Sequence, residues 1–170
     1  MNIFFLHLNQ QKCAKWHVDK HVIKMILESI QLLCSAHHVC PNKNNSYKPV
    51  YKLTHENHPC SKWVRESVSN YKWLVKLSKE LCYEYTYRYE KTHKSEQYIN
   101  DLENNIPDIK DIGFTNPNQV MDDMYKSNNN EIDDIIDAYK NYYYFEKYNL
   151  HSWKKRSIPE FITEYTNKFT

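Results

Sequence analysis

Glycine is nearly absent: the chain has one, Gly113, in 170 residues. Glycine-rich phosphate loops, two-residue hairpins and doubly wound nucleotide folds need glycine where the backbone turns left-handed or approaches a ligand closely. Neither G-x-x-x-x-G-K nor G-x-G-x-x-G is present. Paired cysteines are lacking too. Cys13, Cys34, Cys40, Cys60 and Cys82 are odd in number and form no C-x-x-C. Reduced, mostly buried thiols of an intracellular protein are the expectation. No H-E-x-x-H occurs, and no apolar run approaches a signal peptide or a bilayer span. An intracellular protein without a membrane partner is expected.

Arginine is scarce as well. Twenty lysines accompany three arginines, Arg65, Arg88 and Arg156. Abundant lysine, asparagine and tyrosine point to A/T-rich codons, as in phages, large viruses and some protists. Lysine patches therefore carry little weight, and the three arginines stand out as ligands for phosphate or carboxylate. The net charge of +2 permits contact with nucleic acid without demanding it.

What is plentiful is helical pattern and aromatic surface, with fifteen tyrosines and four tryptophans. The expected fold is all-α: a single domain over residues 1–170, built on two long helices, a third and a short C-terminal helix, with long loops. Residues 1–8 read as an arm that lays Ile3, Phe4 and Leu6 into the core. A central helix is expected from about Asn9 to His38, ending before Cys40-Pro41-Asn42. Pro59 opens a second, reaching about Tyr89. Residues 90–130 read as a polar loop, with a helical turn near Gln119–Lys126. A third helix is expected over Glu131–Asn149 and a terminal one from Pro159.

The central helix carries one polar stripe on an otherwise apolar surface: His17, His21, Lys24, Glu28, Gln31, Ser35 and His38. His21, Lys24 and Glu28 lie within two turns of each other. An imidazole, an amine and a carboxylate at that separation can exchange protons, and a lysine bordering apolar surface can act as a Schiff-base nucleophile. A solvated face is the plain alternative. His17 and His21 could chelate a metal with His55 or His58 from the loop, but no ligand signature supports a metal. The segment Thr54–Pro59 ends at a helix N-terminus, where His55 and His58 could hold phosphate and Trp63 could stack on a base. Its alternative is a capping loop in which Asn57 or His58 serves the first N–H groups. Glu84 and Arg88, at i,i+4, can pair.

Three strings carry a resemblance. They are Asp19-Lys20-His21-Val22-Ile23-Lys24-Met25-Ile26-Leu27-Glu28, the run from His55 to Ser67, and Glu84-Tyr85-Thr86-Tyr87-Arg88-Tyr89. Together they resemble a family of uncharacterised phage and giant-virus proteins, from which no activity carries over. Asp19, His21 and Glu28 also fall on the Asp-x-His-x-x-x-x-x-x-Glu pattern of pyrimidine-dimer DNA glycosylases of the endonuclease V type. That resemblance implies a short arm before the helix and a glutamate beside the N-terminal α-amine, which attacks the sugar, forms an imine and cleaves the strand. The chain departs from it at three positions. Leu27 and Gln31 stand where arginines are expected, and Asn2 is too large for the usual removal of Met1.

The leading expectation is an enzyme acting on DNA or a nucleotide, in its most concrete form a base-excision glycosylase/lyase without a cofactor. Glu28 is then the acid/base, Lys24 or the N-terminal amine the nucleophile, and His21 an orienting or proton-shuttling group. His55, His58 and Arg88 hold phosphate, and Trp63 stacks on a base. The alternatives are a non-enzymatic viral helical interaction module and a metal-dependent enzyme with histidine ligands.

Overall fold

The computed structural model describes residues 1–170 and is all-α, with no strand. Seven helices follow in order: α1 Gln10–Trp16, α2 Asp19–Val39, α3 Pro59–Glu66, α4 Val68–Tyr89, α5 Ile99–Asn104, α6 Ile132–Glu146 and α7 Glu160–Phe169. Three 3-10 turns, Lys94–Tyr98, Asp123–Tyr125 and Tyr148–Leu150, join them. The α2–α4 pair is the most extensive helix contact. α2 is buried along most of its length, through Val22, Met25, Ile26, Ile30, Leu32 and Leu33, as its near-continuous apolar surface requires.

The arm behaves as its sequence suggests. Ile3, Phe4, Phe5 and Leu6 are all buried. Each large apolar side chain so buried contributes about 1.5–3 kcal/mol, which pins residues 1–6 across α2. Phe5 sits edge-on to Trp63 at 5.0 Å and stacks on Trp73 at 4.8 Å.

Both long helices expected from periodicity are broken. Between α1 and α2 the chain leaves the helix at His17 and Val18, whose backbones are extended. Groups from elsewhere satisfy the freed backbone there. Arg88 donates to the carbonyls of Lys15 and His17, Trp153 Nε1–H donates to Trp16 O, and the Tyr143 hydroxyl accepts the Val18 N–H. The second break is at Ser67, which caps α4. Its hydroxyl accepts from Ser69 N–H and donates to Asp111 Oδ1 at 3.0 Å.

Residues 105–131 form a strap with the irregular backbone expected there, and its 3-10 turn Asp123–Tyr125 falls within the turn expected near Gln119–Lys126. Asn70 accepts Thr115 N–H at 2.9 Å and donates to Thr115 Oγ1 at 2.7 Å, while Trp63 Nε1–H donates to Thr115 O. Farther along, Tyr139 donates to Asn118 O and accepts Val120 N–H. The strap is thus ordered by side chains of α3, α4 and α6. The stretch before it is also more helical than its polarity suggests, since Ile99 and Leu102 bury one face of α5.

Candidate functional site

The arm, α2, the strap and the end of α6 enclose a cavity of about 440 Å³ that opens to solvent. Met1, Asn2 and Phe4 form its floor, and His21, Lys24 and Glu28 one wall. Val120, Met121 and Asp122 of the strap also line it, as do Tyr142 and Lys147 of the α6 end. The central part of the α2 stripe therefore faces this cavity. Its two ends do not: His17 is wholly buried as the C-cap of α1, and the exposed His38 bonds to Tyr51 O.

Glu28 is buried, 8 % exposed, yet three nitrogens surround its carboxylate. Oε2 accepts the Asn2 N–H at 3.1 Å and lies 3.7 Å from the Met1 amine, and Oε1 lies 3.3 Å from Lys24 Nζ. Such compensation is what a buried carboxylate needs. Asn2 holds this corner together. Its side-chain amide donates to Val120 O at 3.0 Å, and its Oδ1 accepts Ile3 N–H at 2.8 Å. The Met1 nitrogen and the backbone N–H of Asn2 thus stand beside the same carboxylate oxygen. The Lys24 side chain is two-thirds exposed and reaches Glu28 from the solvent side.

His21 stacks on Phe4 at 4.6 Å with the rings nearly parallel, and its Nδ1 meets the Tyr143 hydroxyl at 2.9 Å. Burial, then the charges of His17, Lys147 and Lys24, pull its pKa down to about 3. His21 is thus a neutral imidazole near pH 7, suited to orienting a group and not to shuttling a proton as imidazolium.

The four residues expected to bind nucleic acid do not converge. Arg88 is fully buried, and four of its N–H groups are engaged by Glu84, Asp19, His17 O and Lys15 O. It has no surface to offer a phosphate, and the expected Glu84–Arg88 pair explains it instead. Glu84 also takes Arg156, and Arg65 donates to Glu56 O, so all three arginines serve the fold. Trp63 is 1 % exposed within the Phe5–Trp73–Phe114 cluster and cannot stack on a base. His58 caps α3, its Nδ1 accepting Cys60 N–H at 3.1 Å, which is the capping role. It still lies within electrostatic reach of Glu28 and the Met1 amine, outside the cavity lining. The exposed His55, at φ 50°, bonds to Thr54 Oγ1 and packs edge-on to His58 at 6.2 Å.

No three histidine, cysteine or acidic side chains converge as metal ligands. His17 and His21 direct Nδ1 to Cys13 O and to Tyr143, and the break at His17–Val18 removes the helical i,i+4 spacing on which the alternative of a chelating pair rests. The thiols of Cys13 and Cys60 are buried, which pushes them up to about 12 and disfavours the thiolate. No helix is long and apolar enough to cross a membrane.

Periodicity brought out His21, Lys24 and Glu28 but not Asn2, Val120, Tyr143 or Lys147. Tyr143 and Lys147 carry one faint signal, their i,i+4 spacing at the end of α6. No known protein family, curated protein or solved structure matches the chain.

Proposed function

We propose that this cavity is the active site of an enzyme acting on nucleic acid, a DNA glycosylase/lyase working through an amine and Glu28. The observation that carries the reading is the Met1 amine 3.7 Å from a buried carboxylate on the wall of an open cavity. A carboxylate so placed can take the proton of the attacking amine and return it to a leaving group. The amine nitrogen bonds to C1′ of a deoxyribose as the base departs with a proton. Ring opening then gives an imine, and loss of a C2′ proton to Glu28 expels the 3′ phosphate. Water hydrolyses the imine and restores the amine.

Two amines are in place, and the α-amine of residue 1 is the nucleophile in this reading. The buried arm and the Asn2 hydrogen bonds fix its position, whereas Lys24 swings on an exposed stem. The aromatic cavity end at Tyr142 suits a flipped nucleotide. The shared core of arm, α1–α6 and α7 supports one domain over residues 1–170. Borohydride trapping on a duplex with an abasic site tests the reading: a reduced covalent adduct is expected.

A second reading, a helical interaction module, draws on a different surface. Phe145 and Phe169 pack at 5.2 Å yet stay 44 % and 50 % exposed, and Tyr125 stacks on Phe145 at 6.3 Å. Absence of any adduct, with specific retention of a partner lost on replacing Phe145 and Phe169, favours that module.

A further inference from the structure

The hydrogen-bond chain behind His21 has a direction. Val18 N–H lies 2.9 Å from the Tyr143 oxygen, and an N–H can only donate. Tyr143 is fully buried, and its only other hydrogen-bond partner is His21 Nδ1, also at 2.9 Å. The phenol proton therefore goes to Nδ1, because a buried hydroxyl without an acceptor is costly. The ring proton of His21 is left on Nε2, which bonds to no protein group and is not enclosed. Stacking on Phe4 fixes the ring plane.

One turn beyond Tyr143, Lys147 ends α6 on the same cavity. Its ammonium lies 4.8 Å over the Tyr142 ring and makes no ion pair, unlike Lys24, which Glu28 engages. We infer that Tyr143 sets His21 as a neutral Nε2–H donor which, with Lys147, receives a phosphate oxygen of the ligand. This rests on the nucleic-acid reading of the cavity and assigns Tyr143 as a positioning residue. The groups around His21 agree. His17 on the α1 side, Lys24 on α2 and Lys147 on α6 all oppose an imidazolium, Glu28 is occupied by amines, Asp122 of the strap lines the same cavity but is not among the influences on the ring, and burial is the largest influence. A neutral donor binds a phosphate oxygen without changing its own protonation.

Imidazole nitrogen NMR of the full chain tests this directly. The expected spectrum shows His21 with the proton on Nε2 and no protonation between pH 8 and about pH 5. Tyr143→Phe should yield mixed tautomers and move protonation to higher pH, which a purely structural tyrosine would not do. Three probes follow: inorganic phosphate, a deoxynucleoside monophosphate, and an oligonucleotide with a tetrahydrofuran abasic analogue. A shift of His21 Nε2 with all three assigns a general phosphate site, and with the oligonucleotide alone a nucleic-acid backbone site. Lys147→Met, at a half-exposed position, and His21→Phe should each weaken binding about tenfold. A proton on Nδ1, an imidazolium at neutral pH, or no response to any probe overturns the inference. Adduct trapping separates the two claims. Trapping without phosphate response removes this site alone, and phosphate response without trapping removes the lyase chemistry alone.

Discussion

Glu28 accepts the Asn2 N–H at 3.1 Å, and that bond holds the preceding amine 3.7 Å from the same carboxylate oxygen. Backbone and carboxylate are thus fastened together. Glu28→Gln keeps the shape and can still accept from Asn2, but it cannot take a proton. A loss of adduct formation of about 10²–10⁴-fold is expected, with the unfolding midpoint nearly unchanged. A single-turnover trapping time course checks both the rate and the endpoint.

The strap wall depends on Asn70, which bonds to Thr115 twice and to Trp63 O. Asn70→Ala leaves these groups without partners in a buried setting. A destabilisation of about 1–3 kcal/mol is expected, with amide exchange rising first over residues 113–121. Hydrogen exchange read by mass spectrometry locates the effect. Unchanged protection there would show that the strap is held by other contacts.

Arg88 joins Glu84 and Asp19 and caps α1. Arg88→Met should cost about 3–5 kcal/mol, because charges and carbonyls are left unpaired in the interior. Urea unfolding measures it. The salt dependence of DNA binding should not change, since no phosphate reaches Arg88.

Acid should unfold the protein early. Burial lowers His17 to about 4, His21 to about 3 and His37 to about 4, from 6.5. Below pH 6.5 the unfolded chain binds protons that the folded chain refuses. The stability these groups contribute is therefore complete above about pH 6.5 and is lost progressively as pH falls toward 4 and 3. The slope approaches about 1.4 kcal/mol per pH unit for each histidine. His17→Leu should flatten it by about one proton in urea titrations between pH 6.5 and 4.5.

Local spacing made part of this legible. The buried face of α2, the arm at Ile3 to Leu6, the His58 cap and the Glu84–Arg88 pair all follow from neighbours within four residues. The helix breaks do not. His17–Val18 is opened by Arg88, Tyr143 and Trp153, and Ser67 is held by Asp111, all remote in sequence. Trp63 is enclosed by Phe5, Trp73 and Phe114, which come from the arm, α4 and the strap, so the completeness of its burial depends on tertiary contacts. In the site, the periodic trio shares one cavity wall, while Asn2, Val120, Tyr143 and Lys147 arrive from three other segments.

The most direct measurement is borohydride trapping on abasic-site duplex DNA, followed by peptide mapping of the adduct. Three chains are compared: the chain as given, Lys24→Met, and a chain with one extra residue before Met1. Modification at the residue 1 amine, retained in Lys24→Met and lost on extension, is the expected result. An adduct on Lys24 would move the nucleophile to the helix, and no adduct with any chain would contradict amine chemistry at Glu28.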